Sequence, residues 1–201
     1  MRLLQELRLY LAGWGALYER AREEAEVDKF SRFLASSPEV FQRNHPPGHF
    51  TGSGLLASAD LTRVALMHHK KLDKWLQFGG HADGEEILAQ VACKECEEES
   101  GIPAPAFLPY EEALGLDWHP LPFDLDVHTI PARGADPEHL HYDVRYLLYT
   151  DRPELLRGNA ESHDLGWFTL AEARALTDEP SMHRQFAKLE WLKVRLAKAA
   201  R

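Results

Sequence analysis

The sequence predicts a mixed α/β domain with an N-terminal helical extension. Three observations point there. Apolar residues near the N-terminus recur at spacings of three and four, the mark of a helix face. A strong breaker, Asn44-His45-Pro46-Pro47-Gly48, is followed by short apolar runs with turn signals between them. A glycine-rich stretch, Gly79 to Gly84, then leads into one long acidic helix set among those runs.

Taken in order, Leu3, Leu4, Leu7, Leu11 and Trp14 form one apolar stripe. Arg20, Arg22, Glu23, Glu24 and Glu26 read as a solvated stretch, and Phe30, Phe33 and Leu34 restart the apolar face before Ser36-Ser37-Pro38 ends it. The breaker divides the chain into a helical extension, residues 1–44, and a second unit, residues 45–201. Phe50–Ala59 and Arg63–His69 read as strands joined by a turn at Ala59-Asp60. The acidic helix follows, closed off by Pro103, Pro105 and Pro109. Leu125–Pro131 and His139–Thr150 read as strands around an insertion at Arg133–Pro137. Trp167-Phe168 starts a short element, Thr169 caps a helix, and His183–Arg201 is a last amphipathic helix.

Length and composition bound the function. The 201 residues suit one domain, and 44% hydrophobic with 27% charged residues excludes wholesale disorder. Lys and Arg total 23 against 32 Asp and Glu, a formal net charge of −9. This argues against a general binder of nucleic acid or membrane surfaces. Two cysteines make no disulfide framework, which suits a reducing compartment. No apolar run approaches the roughly 18 residues of a membrane span, and no targeting segment is visible, so a soluble, cytoplasmic protein is expected.

The acidic helix carries the chemistry. Asp83 suits an N-cap, Glu86 three residues later completes a capping box, and Gly101 suits the left-handed residue that ends a helix. On a helical wheel Leu88, Val91 and Ala92 make the buried stripe. Glu95 and Glu99 share its azimuth, Glu98 falls beside Val91, and Glu97 points away. Carboxylates spaced three and four apart repel one another and resist burial unless a cation compensates. Mg²⁺ or Mn²⁺, hard cations that take oxygen ligands and bridge to phosphate, are the natural compensators.

The segment from Gly80 to Ile102 resembles the Nudix box, G-x5-E-x7-R-E-U-x-E-E-x-G-U, where U is a bulky aliphatic residue. Gly80, Glu86, Glu95, Glu98, Glu99, Gly101 and Ile102 match; Lys94 stands in place of the Arg, and Cys96 in place of an aliphatic residue. The segments His68–Gly80 and Glu161–Phe168 are more loosely like those flanking the box, so the likeness spans about residues 48 to 180. The resemblance implies the Nudix fold, a mixed β-sheet sandwiched between helices. It implies a hydrolase that cleaves a phosphoanhydride in a nucleoside diphosphate linked to another moiety, with an NDP-sugar or ADP-ribose-like compound the first guess. By the same carry-over Glu95, Glu98 and Glu99 hold Mg²⁺ or Mn²⁺, Gly79 adds a carbonyl, and Glu86 pairs with Lys94. Glu98 or a downstream acid, Glu161 or Asp164, then takes the proton from the attacking water. Lys in place of Arg keeps the charge and loses the bidentate fork.

Other constellations are weighed beside this. His139, His141, Asp143 and Arg145 share one strand face, which suits either a cleft lining with Arg145 near phosphate or a half-solvated sheet. A His-x-His-x-Asp metal site there is the poorer reading. His81, just after Gly80, is placed to touch substrate. Cys93 and Cys96 lie mid-helix without a second ligand pair and read as incidental. Trp75, Trp118 and Trp167 read as packing residues. The Leu3–Trp14 stripe suggests a lid or a homodimer interface. Two rival functions remain: a nucleotide-sensing Nudix-like module, and a diphosphate isomerase. Against the first stand the retained acids, and against the second the absence of a cysteine before the box.

Overall fold

The computed structural model describes residues 2–134, 136–158 and 162–199. Helix α1 (Arg2–Tyr10) runs into a wide π turn (Leu11–Gly15), and α2 (Arg20–Ser36) follows. Leu3, Leu7 and Trp14 of the expected stripe are buried, whereas Leu4 and Leu11 are half-buried. The stripe faces the chain's own core: Trp14 packs on Tyr110, Phe123 and Trp191. That contact removes the ground for reading it as a dimer interface. The stretch expected to be solvated is also corrected. Glu23 is fully buried and Glu26 is 9% exposed, because Glu23 accepts from the Tyr10 hydroxyl and pairs with Lys188 at 2.9 Å.

Among the described residues eight strands form one mixed sheet. They are β1 (Gly48–Ser58), β2 (Arg63–His69), β3 (Lys74–Leu76), β4 (Phe78–His81), β5 (Ala106–Phe107), β6 (Asp124–Ile130), β7 (His139–Thr150) and β8 (Ser162–Thr169). The parallel pair β1 and β7 forms its centre, with Gly48 opposite Leu140 and Ser58 opposite Thr150. The other edge of β1 is shared by β4 along Thr51–Gly54 and by β2 at Leu56 and Ala57. The other edge of β7 is shared by β6 and β5. Strand β1 is buried along its whole length, as expected for a strand covered on both faces. The strands expected at 63–69 and 139–150 form with those bounds.

Three local expectations change. Gly79 and Gly80 lie in strand β4, not in a loop. Trp167 and Phe168 end a strand rather than start an element, because β8 pairs with β2 from Ser162 to Thr169. The last helix, α5, starts at Pro180 instead of His183 and runs to Ala199. Before it, α4 (Leu170–Leu176) opens on the expected cap: Thr169 accepts from the Glu172 N–H, and Glu172 accepts from the Thr169 N–H. Helix α3 (Leu88–Ser100) lies across β1.

A continuous apolar cluster joins Leu7, Phe30 and Phe33 of the N-terminal helices to Phe50 and Leu55 of β1, Val91 of α3 and Leu189 of α5. Phe33 stacks on Tyr142 with ring centres 3.8 Å apart. The N-terminal helices therefore share the core of the sheet. Among the described residues no helix is long and apolar enough to cross a membrane.

Candidate functional site

Helix α3 begins at Leu88, with Ile87 at its N-cap and no side-chain cap bond. The expected Asp83/Glu86 capping box does not form. Asp83 sits at φ 47°, outside the helix, and the Ile87 N–H is taken by Glu85 at 2.8 Å. The C-terminus follows expectation: Gly101 has φ 66° and donates to the Glu97 carbonyl at 2.9 Å.

The three acids do not sit alike. Glu99 is 5% exposed, and its Oε2 accepts the Gly79 N–H of β4 at 2.9 Å. Glu95 lies against Gly80, where a Cβ would stand 2.5 Å from the Glu95 carboxyl carbon. A residue without a Cβ is what lets this carboxylate reach the strand. Glu98 differs from the inward reading, because its side chain is 57% exposed. The helix continues its apolar azimuth at Glu95 and Glu99, but Glu98 lies one step off it.

Lys94 does not pair with Glu86. Its Nζ lies 3.6 Å from Glu95 and 3.7 Å from Glu98, and the side chain is largely exposed. Such a pair adds little stability. Glu86 is exposed beside a hollow lined by Arg2, Phe41 and Ile87, because the helix starts two residues after it. Glu161 lies outside the described residues. Asp164 is exposed on β8 and accepts the Leu165 N–H.

An open cleft of about 460 Å³ runs along α3 and β4, lined by His81, Asp83, Glu85, Gln90, Lys94 and Glu95. His81 is thus at the cleft, as expected. Burial lowers its pKa, and the Arg43 charge adds to that effect.

Arg145 is not available to phosphate. It is buried in a network of carboxylates: its Nε donates to Asp143 at 2.7 Å, Nη2 to Asp126 at 3.2 Å and Nη1 to Asp124 at 3.4 Å. Arg184 and Lys188 of α5 join the same network on Asp124 at 2.7 and 2.9 Å. Thr51 and Ser53 of β1 donate to Asp143 at 2.9 and 2.7 Å.

His141 is on the same strand face but meets imidazoles. His49 of β1 stands directly across from it, with ring centres 4.7 Å apart, and His81 lies 5.2 Å away. Burial and the neighbouring rings push His49 down to about 3 and His141 to about 2, so both are neutral. Sequence reading missed His49. The available signal was the alternation His49, Thr51, Ser53 on β1, in register with His141, Asp143 and Arg145 on β7.

A mixed sheet crossed by a helix whose carboxylates rest on a Gly-Gly strand beside an open cleft defines a Nudix-type domain. The family model of the NUDIX domain matches residues 48–189, and the chain belongs to that family as a Nudix hydrolase. Among solved structures, a NUDIX-family hydrolase from Clostridium perfringens is 20% identical with a TM-score of 0.52; the match covers 72% of this chain and 97% of that one. The E. coli dihydroneopterin triphosphate pyrophosphohydrolase is 15% identical with a TM-score of 0.50, covering 68% and 91%. A C. elegans Ap4A hydrolase in a binary complex is 15% identical with a TM-score of 0.49, covering 70% and 94%. Likeness at such identities is likeness of fold. No curated protein matches in sequence.

Proposed function

We propose that this protein hydrolyses a phosphoanhydride bond in a nucleoside diphosphate linked to another moiety, of the NDP-sugar or ADP-ribose kind, with Mg²⁺ or Mn²⁺ as cofactor. In this reading residues 45–201 are the hydrolase domain and residues 1–44 its helical extension. One observation carries the reading: Glu95 and Glu99 are drawn against the Gly79-Gly80 strand, beside the cleft, and not out into solvent.

The donor set fits the cofactor. Glu95, Glu98 and Glu99 offer only carboxylate oxygens, which suit a hard divalent cation, and Gly80 leaves the space that the Glu95 carboxylate needs. When bound, such an ion offsets the charge of a diphosphate and makes a water molecule more acidic. Glu99 is fixed by the Gly79 N–H and so sets the distance between α3 and β4. Lys94 lies between Glu95 and Glu98 and orients them. Glu98, the most exposed of the three, is placed to take the proton of an attacking water. His81 lines the cleft, where burial lowers its pKa, and can donate or accept a hydrogen bond to substrate.

The test is a hydrolysis panel of NDP-sugars, ADP-ribose, NADH, dinucleoside polyphosphates and nucleoside triphosphates, with Mg²⁺, Mn²⁺ or chelator. Glu98→Gln runs alongside. The expected result is metal-dependent turnover of one class, lowered by Glu98→Gln by about 10² or more, the range of a lost general base. Turnover unchanged by both chelator and Glu98→Gln would overturn the reading.

A further inference from the structure

A second ligand set lies on the other side of β4 from the acids. His49, His81 and His141 each offer a ring nitrogen within 4.8 Å of the other two. They come from three neighbouring strands: His49 of β1 pairs directly with His141 of β7, and β4 brings His81 alongside through its pairing at Thr51. The site is built into the sheet and does not depend on a loop.

We propose that these three histidines form a nitrogen-donor site for a late first-row divalent cation such as Zn²⁺ or Co²⁺, distinct from the carboxylates of α3. The first argument is unmet hydrogen bonding. His49 is 1% exposed, yet neither of its ring nitrogens has a hydrogen-bond partner, and the buried Nε2 of His141 has none either. Buried polar atoms are almost always partnered, and three orphans on two facing rings need a reason. A metal ion supplies one for one nitrogen of each ring, because it takes that nitrogen's lone pair. Bulk water is kept from His49 by its burial.

The second argument is donor chemistry. Three neutral imidazoles suit Zn²⁺, Co²⁺, Ni²⁺ or Cu²⁺ and serve Mg²⁺ poorly, the reverse of the preference of a carboxylate set. At Zn–N distances of about 2.0–2.1 Å a tetrahedral ion needs its nitrogens about 3.4 Å apart. The rings therefore need to close by roughly an ångström, which χ rotation allows.

The third argument is access and support. His81 is half-buried, so an ion reaches the site from its side without opening the core. Two further imidazoles flank it: His139 lies 5.1 Å from His49, and His128 lies 5.4 Å from His141, measured between ring centres. His128 is itself oriented by Asp126 at 3.1 Å. Three protein ligands leave a coordination position for water or for an anionic group in the cleft.

The probe is Co²⁺ alone, titrated into the full-length protein and followed by its visible absorption and by equilibrium dialysis. One Co²⁺ per chain is expected, with the intense bands of a low-coordinate imidazole site, unaffected by a large excess of Mg²⁺ and displaced by Zn²⁺. Replacing one ligand, in His81→Gln or His141→Gln, weakens binding by at least about tenfold, the scale of a disturbed ligand shell. Glu98→Gln leaves it unchanged. Thermal melting of each metal-free variant reports whether the fold survives. Should His141→Gln unfold, His81→Gln, at a half-buried position, decides alone. No bound Co²⁺, or binding that survives the histidine variants, or binding lost in Glu98→Gln, would overturn the proposal. Failure here leaves hydrolysis by the α3 acids untouched, because neither Co²⁺ nor the histidine variants enter the hydrolysis panel.

Discussion

Lys188→Met is the sharpest test of how the N-terminal helices are tied to the sheet. Lys188 is fully buried on α5. Its ammonium lies 2.9 Å from Glu23 of α2 and 2.9 Å from Asp124 of β6, and donates to the Tyr10 hydroxyl at 2.6 Å. Around it four cations, Arg22, Arg145, Arg184 and Lys188, face four carboxylates, Glu23, Asp124, Asp126 and Asp143. The cluster is neutral as it stands. Methionine keeps most of the volume and removes the charge, leaving the cluster at −1. Asp124 would retain Arg184 at 2.7 Å and Arg145 at 3.4 Å, but Glu23 would keep only Arg22 at 2.9 Å and the Tyr10 hydroxyl. Breaking a buried pair costs about 3–5 kcal/mol, and the remaining cations place this case near 3. In urea, at a slope of about 2 kcal/mol/M, the midpoint should fall by about 1.5 M. Adding Glu23→Gln to Lys188→Met restores the charge count and should recover part of the loss. A loss below about 1 kcal/mol, or a double variant as unstable as the sum of the singles, would refute the reasoning.

Gly80→Ala would put a methyl 2.5 Å from the Glu95 carboxyl carbon. The carboxylate is the far end of a flexible chain, so the fold should hold and the acid should move. Turnover should drop by about 10², as for a displaced catalytic group, with a change in melting temperature of only a few degrees. Thr169→Ala removes the hydroxyl half of the α4 capping box, leaves the backbone N–H of residue 169 on Glu172, and should cost about 1 kcal/mol in urea unfolding. Burial alone would raise Asp124 and Asp126, but Lys188, Arg184 and Arg145 hold Asp124, and Arg145, the His128 ring and Arg184 hold Asp126, well below the usual carboxylate range. The unfolded chain therefore takes up these protons first. Their contribution is complete above about pH 5 and declines as the pH falls through about 4, so stability that rises between pH 5 and pH 3.5 would contradict the network.

The sequence made β2 and β7 legible, Arg63–His69 and His139–Thr150, because each is an apolar run bounded by turn signals. It also marked the acidic helix and its end, since Gly101 adopts the left-handed conformation that the position needs. The helix start was misread for a physical reason. Asp83 and Glu86 have cap chemistry, but the chain holds Asp83 at a positive φ outside the helix, and the first turn begins after Ile87. Glu23 was misread because a charge run looks solvated until its partner is known. That partner, Lys188, lies 165 residues away in sequence and becomes a neighbour only in the folded chain.

The polar face of β7 shows most directly what periodicity alone does not decide. His139, His141, Asp143 and Arg145 point the same way, and period-two alternation treats them as one set. The fold divides them. Toward Arg145, strand β6 contributes Asp124 and Asp126 while α5 contributes Arg184 and Lys188, so each charge is met by an opposite one and the row is closed to ligands. Toward His141 the neighbours across β1 and β4 are His49 and His81, and buried ring nitrogens of His49 and His141 are left without hydrogen-bond partners. Along a few residues the same face thus passes from a charge-compensated clamp to an array of unspent lone pairs. The first half fixes the N-terminal helices and α5 to the sheet, and the second half is left with the chemistry that binds a cation.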